Sequence, residues 1–144
     1  EEENEIPQLD LDLEKRVQQA CLEAIQIGIA KSAHDLSEGG LAVALCECAT
    51  LSGKGAIINL SDKISDYHLL FGESQSRILI TIAPENIFSL SDVAMLYQVP
   101  CSIIGKVAGR KLTIFKGKRK LLDLPVSKIA HVYQNSLAQL LEKK

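Results

Sequence analysis

Residues 32–41 read SAHDLSEGGL and lie between an apolar stretch and the Ala- and Leu-rich run 42–49. This order predicts a strand, a turn and a helix. Asp35 and Ser37 are both suited to cap that helix, because a short side-chain oxygen can accept a hydrogen bond from a free backbone N–H. Gly39 and Gly40 let the backbone approach another group closely, since they carry no Cβ. The segment therefore fits either a tightly packed turn or a helix N-terminus that cradles a phosphate.

A second polar block directly precedes a strand signal. Residues 70–77 read LFGESQSR, and the apolar run ILITI follows at 78–82. So many hydrogen-bonding side chains before a buried strand are unusual for a plain turn. For Arg77 two roles stay open: an ion pair with Glu38 or Glu73, or contact with a phosphate.

Length and composition are those of one ordinary globular domain. The chain has 144 residues, of which 47% are hydrophobic and 24% charged, and its net charge is −2. This balance gives no electrostatic footprint for nucleic acid, and no apolar run reaches the roughly 18 residues of a membrane span. The basic residues between 116 and 120 are predicted to lie in a solvated hairpin.

The cysteines and histidines show no spacing typical of a catalytic or metal site. Cys46 and Cys48 lie two apart on a predicted helix and face different directions, so they cannot share a metal ion. Together with Cys21 and Cys101 they are predicted to be free, buried thiols in a reducing compartment. His34 is predicted to be a packed or hydrogen-bonded strand residue.

Hydrophobic periodicity predicts helices that alternate with strands, after a polar linker at residues 1–9. This order indicates a layered α+β or α/β domain over residues 10–144. The predicted helices are 10–30, 39–51, 65–70, 84–98 and 126–141, and the predicted strands are 32–35, 56–60, 77–82, 102–108, 111–115 and 121–124.

Local signals add detail to these elements. Asp10 or Asp12 is suited to cap the first helix, and Gly53 to end the second. The strand 77–82 is predicted to be central in its sheet. The strands 102–108 and 111–115 are predicted to form a hairpin through Gly109 and Arg110, with 121–124 as an edge strand. The last helix carries an apolar stripe made of Ile129, Val132, Tyr133, Leu137 and Leu140.

The two polar blocks and a third segment, VPCSIIGKV at 99–107, give the chain a family resemblance. In this order and spacing they resemble the C-terminal domain of formylglycinamide ribonucleotide amidotransferases, also called phosphoribosylformylglycinamidine synthases, along nearly the whole chain. The resemblance implies an α+β fold of the AIR synthase (PurM) C-terminal type, a layered mixed β-sheet with packed helices that is partly ferredoxin-like. A structural or nucleotide-binding module of another AIR synthase-superfamily protein is the alternative.

The resemblance also implies an activity for the parent protein. These ligases of purine biosynthesis convert formylglycinamide ribonucleotide to formylglycinamidine ribonucleotide with ATP, Mg²⁺ and glutamine-derived ammonia. Their catalytic His, their ATP-contacting Lys and most of their Mg²⁺ ligands lie in preceding domains. No catalytic residue, metal ligand or cofactor is therefore assigned to this chain, which we expect to be inactive alone.

The resemblance implies that this chain contributes residues to part of a ligand-binding cleft. Glu73, Ser74 and Gln75 match a block that contacts substrate in the first half of the family protein. The motifs look like those of the second half, where the equivalent cleft holds a structural nucleotide in a pseudo-site. The glycine-rich turn faces the same interdomain cleft. The nucleotide- or substrate-cleft candidates are Asp35, Ser37, Gly39, Gly40, Glu73, Ser74, Gln75 and Arg77.

The expected partners follow from the same resemblance. The chain begins with Glu1 and has no initiator Met, so we expect it to be a piece of a longer protein whose N-terminal domains complete the site. If its end at Lys144 is natural, the parent is the small form, which needs a separate glutaminase subunit and a small bridging subunit; if it is not, the large form with a fused glutaminase domain stays open. With no signal peptide, a cytoplasmic location is expected, and neither nucleic acid nor a membrane is an expected partner.

Overall fold

In the part of the chain that the structure describes, six strands and five α-helices form the α+β fold that the sequence predicts. The computed structural model describes residues 9–61 and 63–142, so all but one residue of the predicted linker 1–9 lies outside the described residues. No helix within these ranges is long and apolar enough to cross a membrane. The elements are α1 (Leu11–Gln26), β1 (Ala30–Asp35), α2 (Gly40–Ser52), β2 (Ala56–Leu60), α3 (Asp66–Phe71), β3 (Ile78–Ile82), a 3-10 turn (Pro84–Asn86), α4 (Ile87–Leu96), β4 (Gly105–Val107), β5 (Lys111–Lys116), β6 (Arg119–Pro125) and α5 (Val126–Glu142).

Local capping signals set the ends of two helices. The Asp10 side chain accepts a hydrogen bond from the Leu13 N–H at 2.9 Å, which confirms it as the cap of α1. The first helix ends at Gln26 rather than near residue 30, because Gly28 adopts a φ of +78° that helical residues do not take. Gly53 ends α2 as predicted, with a φ of +65° and its N–H bonded to the Ala49 carbonyl.

The chain divides into two compact units, each discontinuous in sequence. Unit 1 contains residues 9–44 and 70–102. In it β1 and β3 pair antiparallel, with Asp35 opposite Ile78. A small apolar core lies beside this pair, formed by Ala20, Ala24, Ile29 and Val93. The prediction that β3 is central is wrong: within the described residues its sheet is the two-stranded β1–β3 pair, and every β3 residue is only half-buried.

Unit 2 contains residues 45–69, apart from the undescribed residue 62, and 103–142. Its mixed sheet has the order β4-β2-β5-β6, in which β2 runs parallel to β5 and antiparallel to β4. The predicted hairpin between β4 and β5 is therefore wrong, because β2 lies between them. Gly55 makes this insertion possible: its N–H bonds the Gly109 carbonyl, and a Cβ at Gly55 would collide with the Lys111 backbone.

The β5–β6 hairpin confirms the predicted edge strand and carries the basic residues. Gly117 turns the chain with a φ of +58°. The Lys116 and Arg119 side chains are not simply solvated, since they donate to the two carboxylate oxygens of Asp66 at 3.2 and 2.5 Å. The Arg119 hydrogen bond, followed by that of Lys116, holds the pKa of Asp66 below its usual value. This ion pair fastens α3 to the hairpin.

The core of unit 2 lies on the central strands. Leu112 and Ile114 of β5 are fully buried, and Ile58 and Leu60 of the adjacent β2 are nearly so. In α5, Ile129 is buried, but the rest of its predicted apolar stripe is more than half exposed in this chain; these residues are Val132, Tyr133, Leu137 and Leu140.

The four cysteines are free thiols with different exposure. Cys21, Cys46 and Cys48 are half-buried, and burial raises the pKa of each. Cys101 is exposed in the segment between α4 and β4, so the prediction that it is buried is wrong.

Candidate functional site

The two polar blocks meet in unit 1, at the point where β1 ends and β3 begins. Antiparallel pairing of Asp35 with Ile78 brings the two ends side by side, although 42 residues separate them along the sequence. One step further out, the Leu36 N–H donates to the Arg77 carbonyl at 3.0 Å. Sheet register, a long-range property, therefore creates the juxtaposition that the sequence motifs suggested.

A cleft of about 530 Å³ lies between these segments. It is lined from one side by residues that follow β1 and from the other by residues that precede β3. Six of the eight candidate residues line it: Asp35, Ser37, Glu73, Ser74, Gln75 and Arg77. The other two candidates do not line it: Gly40 is the first residue of α2, and Gly39 directly precedes it.

Gly39 and Gly40 allow the backbones of the two polar blocks to come close together. Gly39 donates its N–H to Glu73 Oε1 at 2.8 Å. Gly40 has a φ of +61°, and a Cβ there would lie 2.7 Å from the Gly72 carbonyl oxygen. Glu73 thus accepts a hydrogen bond from the residue directly before α2, across 34 residues of sequence. The prediction that Asp35 or Ser37 caps α2 is wrong, since Asp35 is still in β1 and Ser37 lies three residues before the helix begins.

Arg77 stabilises the backbone of the second block. Its guanidinium Nη1 donates to the Gly72 carbonyl at 3.1 Å and lies 3.5 Å from Ser74 Oγ. These contacts close the 72–77 loop on itself. They replace the ion pair with Glu38 or Glu73 that the sequence had suggested.

Two side chains of α1 also line the cleft, and the sequence analysis missed them. Glu14 and Gln18 lie one helical turn apart and face residues 73–77. Gln18 Nε2 donates to Glu14 Oε1 at 2.6 Å, and Ser76 Oγ donates to Glu14 Oε2 at 2.7 Å. The i, i+4 spacing could have indicated the first contact, but no local signal indicates the second, which spans 62 residues.

The cleft is acidic. Four carboxylates line it, those of Glu14, Asp35, Glu38 and Glu73, against the single guanidinium of Arg77. Carboxylates accept hydrogen bonds and repel other anions. The lining therefore suits hydroxyl and amide donors of a ligand better than a bare phosphate. Within the described ranges, His, Cys, Asp and Glu side chains nowhere converge in a group of three that could hold a metal ion.

The chain is similar in sequence to a known protein family and to curated proteins. The sequence model of the family described as "AIR synthase related protein, C-terminal domain" matches residues 1–117. The phosphoribosylformylglycinamidine synthase subunit PurL of Thermoanaerobacter sp. is 39% identical over 137 residues, which cover 95% of this chain and 19% of that protein. The PurL subunit of Synechocystis sp. is 42% identical over 141 residues, covering 94% and 18%. The chain thus spans about a fifth of the length of these relatives.

Solved structures show the same fold. Phosphoribosylformylglycinamidine synthase II from Thermotoga maritima superposes with a TM-score of 0.77 at 22% identity, over 87% of this chain and 22% of that one. PurLQS from the same organism gives 0.78 at 23% identity, over 87% and 23%. T. maritima PurL has also been solved in complex with ATP and with FGAR, at a TM-score of 0.73 in each case. These likenesses confirm the predicted AIR synthase C-terminal fold.

Proposed function

The chain belongs to the family of AIR synthase related C-terminal domains, and we propose that residues 10–144 are the C-terminal domain of a phosphoribosylformylglycinamidine synthase. The proposal is supported by relatives of that name that are 39% and 42% identical over nearly all of this chain. It is supported independently by the convergence of two sequence blocks on one cleft, which is the observation that carries it.

The proposed parent enzyme is an ATP-dependent ligase. The amide oxygen of formylglycinamide ribonucleotide is phosphorylated by ATP, and ammonia then displaces the phosphate. The reaction needs a γ-phosphate in line with the amide oxygen and Mg²⁺ to neutralise charge. We assign catalysis and metal binding to the N-terminal domains of the parent chain, as the family resemblance implies, so no catalytic step is assigned to this chain.

This chain contributes a wall of the cleft. Asp35 and Glu38 are exposed carboxylates that accept hydrogen bonds, and Ser74 and Gln75 add a hydroxyl and an amide. The excess of negative charge disfavours a phosphate at this wall. We assign it to the ribose hydroxyls or amide groups of the substrate, or of a structural nucleotide in the pseudo-site.

The proposal includes partners for the parent. Because the curated relatives are named as subunits, we assign the parent to the small form, which receives ammonia from a separate glutaminase subunit through a complex with a small bridging subunit. The PurLQS structure of T. maritima offers a comparison for such an assembly. ATP and ADP are ligands of the parent, and its proposed location is the cytoplasm.

The test is formylglycinamide ribonucleotide-dependent ADP release by the full-length parent, with ammonium as the nitrogen source. We expect turnover by the parent and none by the 144-residue chain alone. Gln75→Ala should weaken substrate or nucleotide binding about tenfold, as expected for one lost hydrogen bond in a site. Glu85→Ala is the matched control, because Glu85 is exposed in the 3-10 turn of unit 1 and does not line the cleft.

Two results would contradict the proposal. A folded parent that shows no turnover, even with its partner subunits supplied, would favour a nucleotide-binding module of another AIR synthase-superfamily protein. A Gln75→Ala parent with unchanged KM, nucleotide retention and melting temperature would remove the cleft from the function.

A further inference from the structure

Ser76 holds an unusual backbone conformation inside the second polar block. Its φ is +61°, in the left-handed region, where a Cβ is in steric conflict with the backbone. Outside glycine such a conformation persists only where the surroundings enforce it. The residue is half-buried, and it lies between two cleft-lining residues, Gln75 and Arg77.

The surroundings that enforce it come from α1. Ser76 Oγ donates to Glu14 Oε2 at 2.7 Å, and Gln18 Nε2 occupies the other carboxylate oxygen at 2.6 Å. The Ser76 hydrogen bond, followed by that of Gln18, lowers the pKa of Glu14. Both oxygens of the Glu14 carboxylate therefore accept hydrogen bonds from within the protein, and one of these bonds attaches the loop to α1.

The position of Ser76 decides where its neighbours point. The next residue, Arg77, bonds Leu36 through its carbonyl and Gly72 through its guanidinium. At the other end of the same loop, Glu73 bonds the Gly39 N–H. The loop is therefore fixed at both ends to the first polar block, and the Ser76 contact is its attachment to α1.

We propose that Glu14 is a positioning residue, which holds Ser76 in its left-handed conformation and thereby sets the geometry in which Glu73, Ser74 and Gln75 face the cleft. Neither motif contains Glu14. The functional part of this inference rests on the proposed role of the cleft, whereas the geometric part does not.

The experiment combines four variants of the full-length parent. Glu14→Ala removes the acceptor, and Ser76→Gly removes the strain, because glycine adopts a positive φ without help. The double variant Glu14→Ala/Ser76→Gly tests whether relief of strain makes the acceptor dispensable. Glu23→Ala is the matched control, since it is the same change on α1 at a residue that contacts Tyr97 and not the loop. The readouts are amide hydrogen exchange over residues 72–77 and kcat/KM for formylglycinamide ribonucleotide.

We expect Glu14→Ala to speed exchange in the loop and to lower kcat/KM, each about tenfold, the effect of one hydrogen bond to a charged group. The double variant should return both quantities to within about threefold of wild type, since glycine needs no partner at this φ. Glu23→Ala should change neither. A loss of helix stability alone would not be rescued by a change at Ser76.

Two outcomes would overturn the positioning role: Glu14→Ala that behaves like Glu23→Ala, or a double variant no better than Glu14→Ala. The two readouts separate this inference from the proposed function. If exchange responds and is rescued in a parent that lacks turnover, the geometric role of Glu14 stands and the proposed function fails.

Discussion

Replacing Gly40 by alanine tests the close approach on which the cleft depends. The new Cβ would lie 2.7 Å from the Gly72 carbonyl oxygen and 2.9 Å from the Phe71 carbonyl carbon. These are backbone atoms, which cannot move aside as a flexible side chain would. At a φ of +61° alanine also suffers the left-handed strain that glycine avoids.

The structure provides a control that separates these two costs. Gly53 has nearly the same φ, +65°, but an added Cβ there meets nothing within 4 Å. Gly53→Ala should therefore cost only the backbone strain, about 1 kcal/mol. Gly40→Ala should cost about 2–4 kcal/mol, because overpacking adds to the same strain.

Equilibrium urea unfolding, followed by far-ultraviolet circular dichroism, measures both free energies from the shift of the midpoint at constant slope. Equal losses for Gly40→Ala and Gly53→Ala would refute the reasoning, since they would mean that the Gly72 carbonyl does not restrict this position. A Gly40→Ala protein that also kept the full protection of the Gly39 amide would show that the two blocks need not approach so closely.

Three further predictions concern other parts of the chain. Ile114→Ala should lower the free energy of unfolding by about 2–5 kcal/mol in the same urea assay, because the side chain is fully buried on β5. Asp66 has a lowered pKa through Arg119 and then Lys116, so its stabilising contribution is complete above its unfolded pKa and is lost as pH falls below about 4. Asp66→Asn should therefore flatten the acid side of the stability–pH profile, and an unchanged profile would show that the ion pair is absent in solution. Burial raises the pKa of Cys46, so iodoacetamide should label it more slowly than a free cysteine at neutral pH, with a rate that rises with pH.

Those elements that depend on neighbouring residues were predictable from the sequence. The Asp10 cap and the Gly53 terminus are local chemistry, and the structure has both. The predicted β4–β5 hairpin was wrong because strand order depends on residues that are distant in sequence. Turn residues at Gly109 and Arg110 are compatible with a hairpin, but nothing local reveals that β2, from much earlier in the chain, occupies the place between the two strands.

In the candidate site, too, features that depend on neighbouring residues were predictable and contacts between distant residues were not. The family resemblance of the two polar blocks implied a cleft, and the structure brings six of the eight candidates together on the wall of one. The partners of those residues were not predictable. Glu73 accepts a hydrogen bond from the Gly39 N–H across 34 residues, and Glu14 accepts one from Ser76 across 62. Such contacts are set by the pairing of β1 with β3, which no short-range signal encodes.

The insertion of β2 between β4 and β5 has a consequence for synthesis on the ribosome. β2 ends at Leu60, whereas its parallel partner begins only at Lys111. Translation adds about 5–20 residues per second, so both edges of β2 stay unpaired for several seconds before their partner strands are synthesised. During that time a strand containing Ile57, Ile58 and Leu60 has unpaired backbone groups, which is the condition that favours association between nascent chains. The sheet of unit 2 can close only after the intervening stretch of unit 1, residues 70–102, has been made, so all of unit 1 is synthesised before the last strands of unit 2.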